Sequence, residues 1–126
     1  MLYALLCYND EDMVFSWSKE EDDAVMAKLA AVHEKLNRQG KLGPALRLMP
    51  TTAATTLRAG RETIVLDGPF AETKEQLLGF YIVDCATLEE AIEAARALKG
   101  EETAGAFEIR PLRVFLTGGP LPSLPA

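Results

Sequence analysis

Cysteine and histidine are scarce in this chain. Its 126 residues hold two cysteines, Cys7 and Cys85, and one histidine, His33. No Cys-x-x-Cys pair or Cys/His ligand spacing is present, which argues against a zinc site. No metal or organic cofactor is expected. Nothing in the sequence marks either thiol as activated, and both are read as buried and reduced. Basic runs are missing too. The 13 Lys and Arg residues are scattered among 19 Asp and Glu, for a net charge of −6. That balance argues against a nucleic-acid partner, which would favour a basic face. With no span of about 20 apolar residues and no signal-peptide pattern, the expected place is the cytoplasm and no membrane partner is expected. What remains, 48% hydrophobic and 25% charged, suits one ordinary globular domain.

The chain order follows from periodicity. Leu2 to Tyr8 is a continuous apolar run, the pattern of a strand buried on both faces. Met13 to Trp17 is an apolar patch in an acidic linker, suited to a short helical turn or a lid. Ser18 and Glu21 form a capping box. Val25, Leu29, Val32 and Leu36 then mark one stripe of an amphipathic helix over about 18–39, stopped by Gly40. Residues 42–49 read as a strand. Thr55–Arg58 and Glu62–Leu66 read as a β-hairpin. Residues 78–84 form another strand, with one helical turn at 73–76 before it. A second capping box at Thr87 and Glu90 opens a helix carrying Leu88, Ile92, Ala95 and Leu98 and ending near Gly100. Phe107 to Leu116 is the last strand, with Pro111 pointing to an edge or a bulge. The domain is placed at 1–117. Residues 118–126 are expected to be a flexible, proline-rich tail.

Strand–helix–strand, hairpin, strand–helix–strand is the order of a ferredoxin-like α+β domain with an inserted hairpin: an antiparallel sheet with two helices on one face. Leu2, Ala4 and Leu6 alternate with Tyr3, Leu5 and Cys7, and both sets are apolar, so both faces of the first strand ask for cover. Two helices cover one. Burying a large aliphatic side chain contributes roughly 1.5–3 kcal/mol, and a second copy of the chain is the simplest cover for the other face. A homodimer is expected.

The densest functional signal lies at Asp67-Gly68-Pro69-Phe70, followed by Ala71-Glu72-Thr73-Lys74-Glu75-Gln76. An apolar run ends there in a glycine–proline corner, and a polar loop leads into the next strand. The stretch DGPFAETKEQLLGFYIVD resembles the signature of the DGPF-type branch of the YCII-related proteins. The likeness extends from Leu2–Tyr8 to Glu108–Pro111. It implies a dimeric α+β barrel. Through a relative that removes chloride from a chlorinated hydroquinone, it implies a cofactor-free lyase or isomerase step on a small polar or aromatic molecule. It equally implies an alternative: a non-catalytic ligand-binding or regulatory module linked to an alternative sigma factor.

The candidate residues follow. Asp67 is read as a general acid or base, or else as a turn residue accepting backbone N–H groups. Lys74 and Glu75 are read as catalytic or positioning partners, with Glu72 and Phe70 as substrate contacts. All of these also fit a solvated turn. Tyr8 and Tyr81, on strands expected to be parallel neighbours, are read as pocket-lining residues or core aromatics. The same geometry would bring Cys7 near Cys85. Arg47, Arg58 and Arg110 are each possible carboxylate clamps. The resemblance implies, for smaller YCII-like proteins, a His–Asp pair whose His lies about three turns before the helix's terminal glycine. That position falls near Lys28 here. His33 sits one to two turns later, so the pair is not carried over and His33 reads as structural.

Overall fold

The computed structural model describes residues 1–121; the end of the expected tail, 122–126, lies outside the described residues. Strand β1 (Leu2–Asn9) leads into a short helix α1 (Glu11–Phe15) and a long one, α2 (Lys19–Arg38). Strand β2 (Leu42–Arg47), a 3-10 turn at Thr51–Ala53 and the hairpin β3 (Thr55–Arg58) and β4 (Ile64–Asp67) follow. Strand β5 (Gln76–Asp84), helix α3 (Leu88–Lys99) and strand β6 (Ala106–Pro111) complete the order.

The helix starts are set as the sequence indicates. The Ser18 hydroxyl accepts from the Glu21 N–H at 3.1 Å, and Glu21 Oε1 accepts from the Ser18 N–H at 3.4 Å, so both halves of the box are made. At α3, Thr87 caps the Glu90 N–H at 3.2 Å, while the Glu90 carboxylate reaches one residue further back, to the Ala86 N–H at 2.9 Å. Residues 73–76 do not form the expected helical turn. Thr73 Oγ1 donates to the Glu75 carbonyl instead of capping, and Gln76 already belongs to β5. The last strand stops at Pro111, five residues short of the expected end.

Four strands form one antiparallel sheet in the order β2-β5-β1-β6, and β3 and β4 form a separate two-stranded sheet. This mixed α+β arrangement is compatible with a ferredoxin-like fold. β1 and β5 are antiparallel, not parallel as expected: Leu5 stands opposite Tyr81 and Cys7 opposite Gly79. The long helix α2 carries the chain to β2, and β5 returns between β2 and β1, antiparallel to both. The two thiols are therefore far apart. Cys85 N–H bonds the Met1 carbonyl at one end of the β1 strand, and Cys7 lies six residues along it, about 20 Å at strand rise.

The helices cover one face. Tyr3, Leu5, Val83 and Cys85 pack with Leu36 of α2 and Ala91, Ala94, Ala95 and Leu98 of α3. The small alanines let α3 lie close on the sheet. Side chains alternate along a strand, so Ala4, Leu6, Phe80 and Ile82 point to the opposite face, where Leu46 from β2 joins them. Ala4 and Ile82 are buried, Leu6 and Phe80 are half-buried, and Leu46 is exposed. The hairpin is exposed apart from half-buried Thr56, with Leu57, Ile64, Val65 and Leu66 in solvent. Among the described residues, no helix is long and apolar enough to cross a membrane.

Gly79 is the tightest point of the sheet. A Cβ there would run into the Leu46 carbonyl oxygen and stand 3.1 Å from the Arg47 Cα. Both obstacles are backbone, which cannot swing aside. Gly79→Ala is therefore expected to destabilise the protein by about 3 kcal/mol, the upper range for overpacking. Gly119→Ala, in open space, is expected to stay within about 0.5 kcal/mol. Urea unfolding of the two variants checks the difference.

Candidate functional site

The rows of side chains that cross the sheet on the helix side explain where its cavity lies. Ala45, Tyr81, Leu5 and Ile109 stand in one row. The next row is Arg47, Gly79, Cys7 and Phe107. Its two central members, Gly79 and Cys7, put little side chain on the floor beneath α2. The result is a cleft of about 620 Å³ between α2, the end of α3 and the sheet. Val25, Leu29, Val32 and Leu78 give it apolar walls. Val14 and Trp17, from the segment read as a helical turn or a lid, also line it.

That segment is a capped helical turn. The Asp10 carboxylate accepts from the Asp12 N–H at 3.0 Å. Glu11 then ties α1 down: its carboxylate accepts from the Thr51 N–H at 2.9 Å and from the Thr51 hydroxyl, and its own N–H donates to Gln76 Oε1 at 3.0 Å.

Polar groups line part of the cleft: Asn9, Arg47 and Tyr81 from the sheet, and Lys28, Arg96, Lys99, Glu101 and Glu102 from the helices and the loop after α3. Tyr81 lies on its wall, and its hydroxyl is 3.1 Å from His33 Nε2. The two rings meet edge to face, with centroids 5.4 Å apart. Burial pushes the Tyr81 phenol up, a negative Cys7 would push it further, and Arg47 pulls it back. Tyr81 thus keeps its proton through the neutral range. Burial pushes the Cys7 thiol up to about 11, so at neutral pH it stays a thiol and serves as a small apolar floor residue. Arg47 stands at the rim, 3.4 Å from Asp22.

The structure divides the residues singled out from sequence. Tyr8 and Tyr81 line the cleft. Residues of the DGPF loop do not. Gly68, Pro69, Glu72 and Thr73 instead border a separate, shallower hollow of about 420 Å³, shared with Thr51 and Gln76. Gly68 makes the corner at φ +105, a conformation open to glycine, and its N–H bonds the Ala54 carbonyl at 2.8 Å. Asp67 ends β4 opposite Thr55 and is exposed, as is Lys74. Glu75 is half-buried. Phe70 is 72% exposed and lies under the Arg58 guanidinium, 5.3 Å away. Among the described residues, no group of three His, Cys, Asp or Glu is placed to hold a metal ion.

Sequence reasoning read His33 as structural and placed Trp17 in a helical turn or lid, without bringing either to the cleft. The signal for His33 was its spacing: it follows Met26 by seven residues and Leu29 by four, which puts it on the sheet-facing stripe of α2. Its partner Tyr81 becomes visible only once β5 is known to run antiparallel under that helix.

The YCII-related domain family matches residues 1–116. The chain is also similar to an uncharacterised protein of Rhizobium meliloti (strain 1021), 59% identical over 120 residues that cover 94% of this chain and 97% of that protein. A match running from the first residue of β1's approach to beyond β6 takes in the whole sheet and both long helices, and the chain belongs to the YCII-related domain family.

Proposed function

We propose that the cleft between α2 and the sheet binds a small, mainly apolar or aromatic molecule and carries out cofactor-free acid–base chemistry on it. The observation that carries this reading is the His33–Tyr81 hydrogen bond at the wall of a mainly apolar cavity. Such cavities with a few convergent polar groups are the usual form of small-molecule sites. Tyr81 Oη faces the ligand with its proton in place, and His33 stands behind it. Donation of the phenolic proton to a substrate oxygen is made good by a proton from His33, the residue type suited to that exchange. Desolvation by the apolar walls strengthens the bond Tyr81 makes to a developing negative charge. A lyase or isomerase step fits these parts.

The working unit in this proposal is a homodimer, the helix-free sheet face of one copy set against that of another. Leu6, Phe80 and Leu46 support this, since a lone copy leaves them partly in water. The Asp67-Gly68-Pro69-Phe70 turn itself, with Gly68 at its corner, supports placing the chain in the DGPF-type branch. The loop residues Asp67, Lys74 and Glu75 remain the competing seat of chemistry, and a ligand sensor working with a sigma factor remains the competing role.

A thermal-shift screen of small aromatic and polar metabolites, followed by turnover assays on every hit, separates these readings. A stabilising ligand that the wild type converts is expected. Tyr81→Phe and His33→Gln are expected to lower conversion by about a hundredfold or more, with Asp67→Asn unaffected. Loss in Asp67→Asn alone moves the chemistry to the DGPF loop. Tight binding with no turnover, together with co-purification of a sigma factor, makes the protein a sensor. For the assembly, light scattering at micromolar concentration is expected to give twice the mass of one chain, and Phe80→Lys to halve it. A wild-type monomer removes the dimer.

A further inference from the structure

Arg47 ends the row that forms the cleft floor, on the edge strand β2. Its two terminal nitrogens have weak company. One is 3.4 Å from Asp22 Oδ1 and the other 3.3 Å from the Met26 thioether sulfur. The first distance is at the long end for a hydrogen bond, and a thioether is a poor acceptor. A guanidinium is a planar fork with five N–H donors, shaped to grip both oxygens of a carboxylate at once. Asp22 offers it a single oxygen. Three other cations line the cleft: Lys28 is 3.5 Å from Glu101, Arg96 is 3.6 Å from Glu93, and Lys99 stands at the end of α3. Arg47, Met26, Trp17 and Tyr81 all line the same cavity.

We propose that Arg47 is the anion anchor of the cleft and that the ligand is a small monocarboxylate with an aromatic or apolar body. The carboxylate takes both terminal nitrogens in place of Asp22 and Met26. The body lies along the apolar wall, with its far end toward the Tyr81 hydroxyl. Asp22 serves as a placeholder that balances the guanidinium while the cleft is empty. Among the arginines that the sequence offered as clamps, the fold selects this one. Arg58 lies over Phe70 on the hairpin and Arg110 is engaged with Glu108 on the edge strand β6. The inference rests on the cleft being the ligand site. It adds the charge and shape of what enters.

Trp17 is the only tryptophan, so its fluorescence reports on the cleft. Wild type, Arg47→Gln, Arg47→Lys and Asp22→Asn are titrated with phenylacetate and with the neutral phenylacetamide, by Trp17 fluorescence and by calorimetry. Wild type is expected to bind phenylacetate at least about tenfold more tightly than phenylacetamide, the scale of a charge-assisted fork. Arg47→Gln is expected to abolish that preference while leaving phenylacetamide affinity unchanged, and Arg47→Lys to restore part of it. Asp22→Asn, which removes the competing carboxylate, is expected to tighten phenylacetate several-fold. A merely structural arginine would weaken both probes together, and that result overturns the proposal. Equal binding of the two probes by wild type, with Trp17 still responding, overturns the anchor but leaves the cleft standing. If neither probe moves Trp17 or releases heat, the cleft reading falls with it.

Discussion

Most of this structure depends on the antiparallel ladder between β1 and β5. It is the central pair of the four-stranded sheet, with β2 hydrogen-bonded to one side and β6 to the other. Its register decides which side chains share a row, and a shift of one residue would exchange the two faces. In the register found, Leu5 meets Tyr81 and Tyr3 meets Val83 on the helix side. Those pairs carry the core. One row further on, Cys7 meets Gly79, and the core gives way to a cavity. Beyond that row the ladder slips, between Cys7 and Tyr8, so the regular sheet ends where the cleft opens. The fold and the candidate site are thus consequences of one alignment.

The chemistry available in the cleft follows from the protonation of its polar groups. A phenol pushed up by burial holds its proton, and so does a thiol pushed up to about 11. Neither is a nucleophile at neutral pH. The Tyr81–His33 pair lies on one side and Arg47 on another, while Lys28, Arg96, Lys99, Glu101 and Glu102 bring charge to the part of the cleft lined by the end of α3. The helix that lies over the cleft supplies His33, and the edge strand supplies Arg47, so binding and proton handling are set on separate elements. The α1 turn is tied by Glu11 to Thr51 and Gln76, which links the mouth of the cleft to the root of the DGPF loop. That loop and the cleft are distinct cavities that share this one bracing carboxylate between them.

Local signals in the sequence were read well where the physics is local. Ser18, Glu21 and Thr87 cap helices because a hydroxyl or carboxylate three residues from an orphan N–H has few other options. The hairpin at 55–67 and the two-sided apolar character of β1 were legible for the same reason. Long-range geometry was less so. A sequence does not state whether two strands run together or opposed, and taking β1 and β5 as parallel put Cys7 beside Cys85. It also hid the juxtaposition of His33 and Tyr81, which needs both the strand direction and the helical phase. The polar loop after Asp67 drew attention because charged residues crowd there. The cleft drew little, since its floor row holds a glycine and a cysteine, neither of which reads as a functional residue in sequence.

Because His33 is the only histidine, its imidazole nitrogens give a single, assignable set of nuclear magnetic resonance signals. The direct test of the central claim is to record them in wild type and in Tyr81→Phe, with and without an aromatic carboxylate. The account predicts a hydrogen-bonded Nε2 in wild type, a changed tautomer balance when the phenolic hydroxyl is removed, and a ligand-induced shift in wild type that Tyr81→Phe lacks. Identical histidine signals in the two proteins, unmoved by ligand, would contradict it.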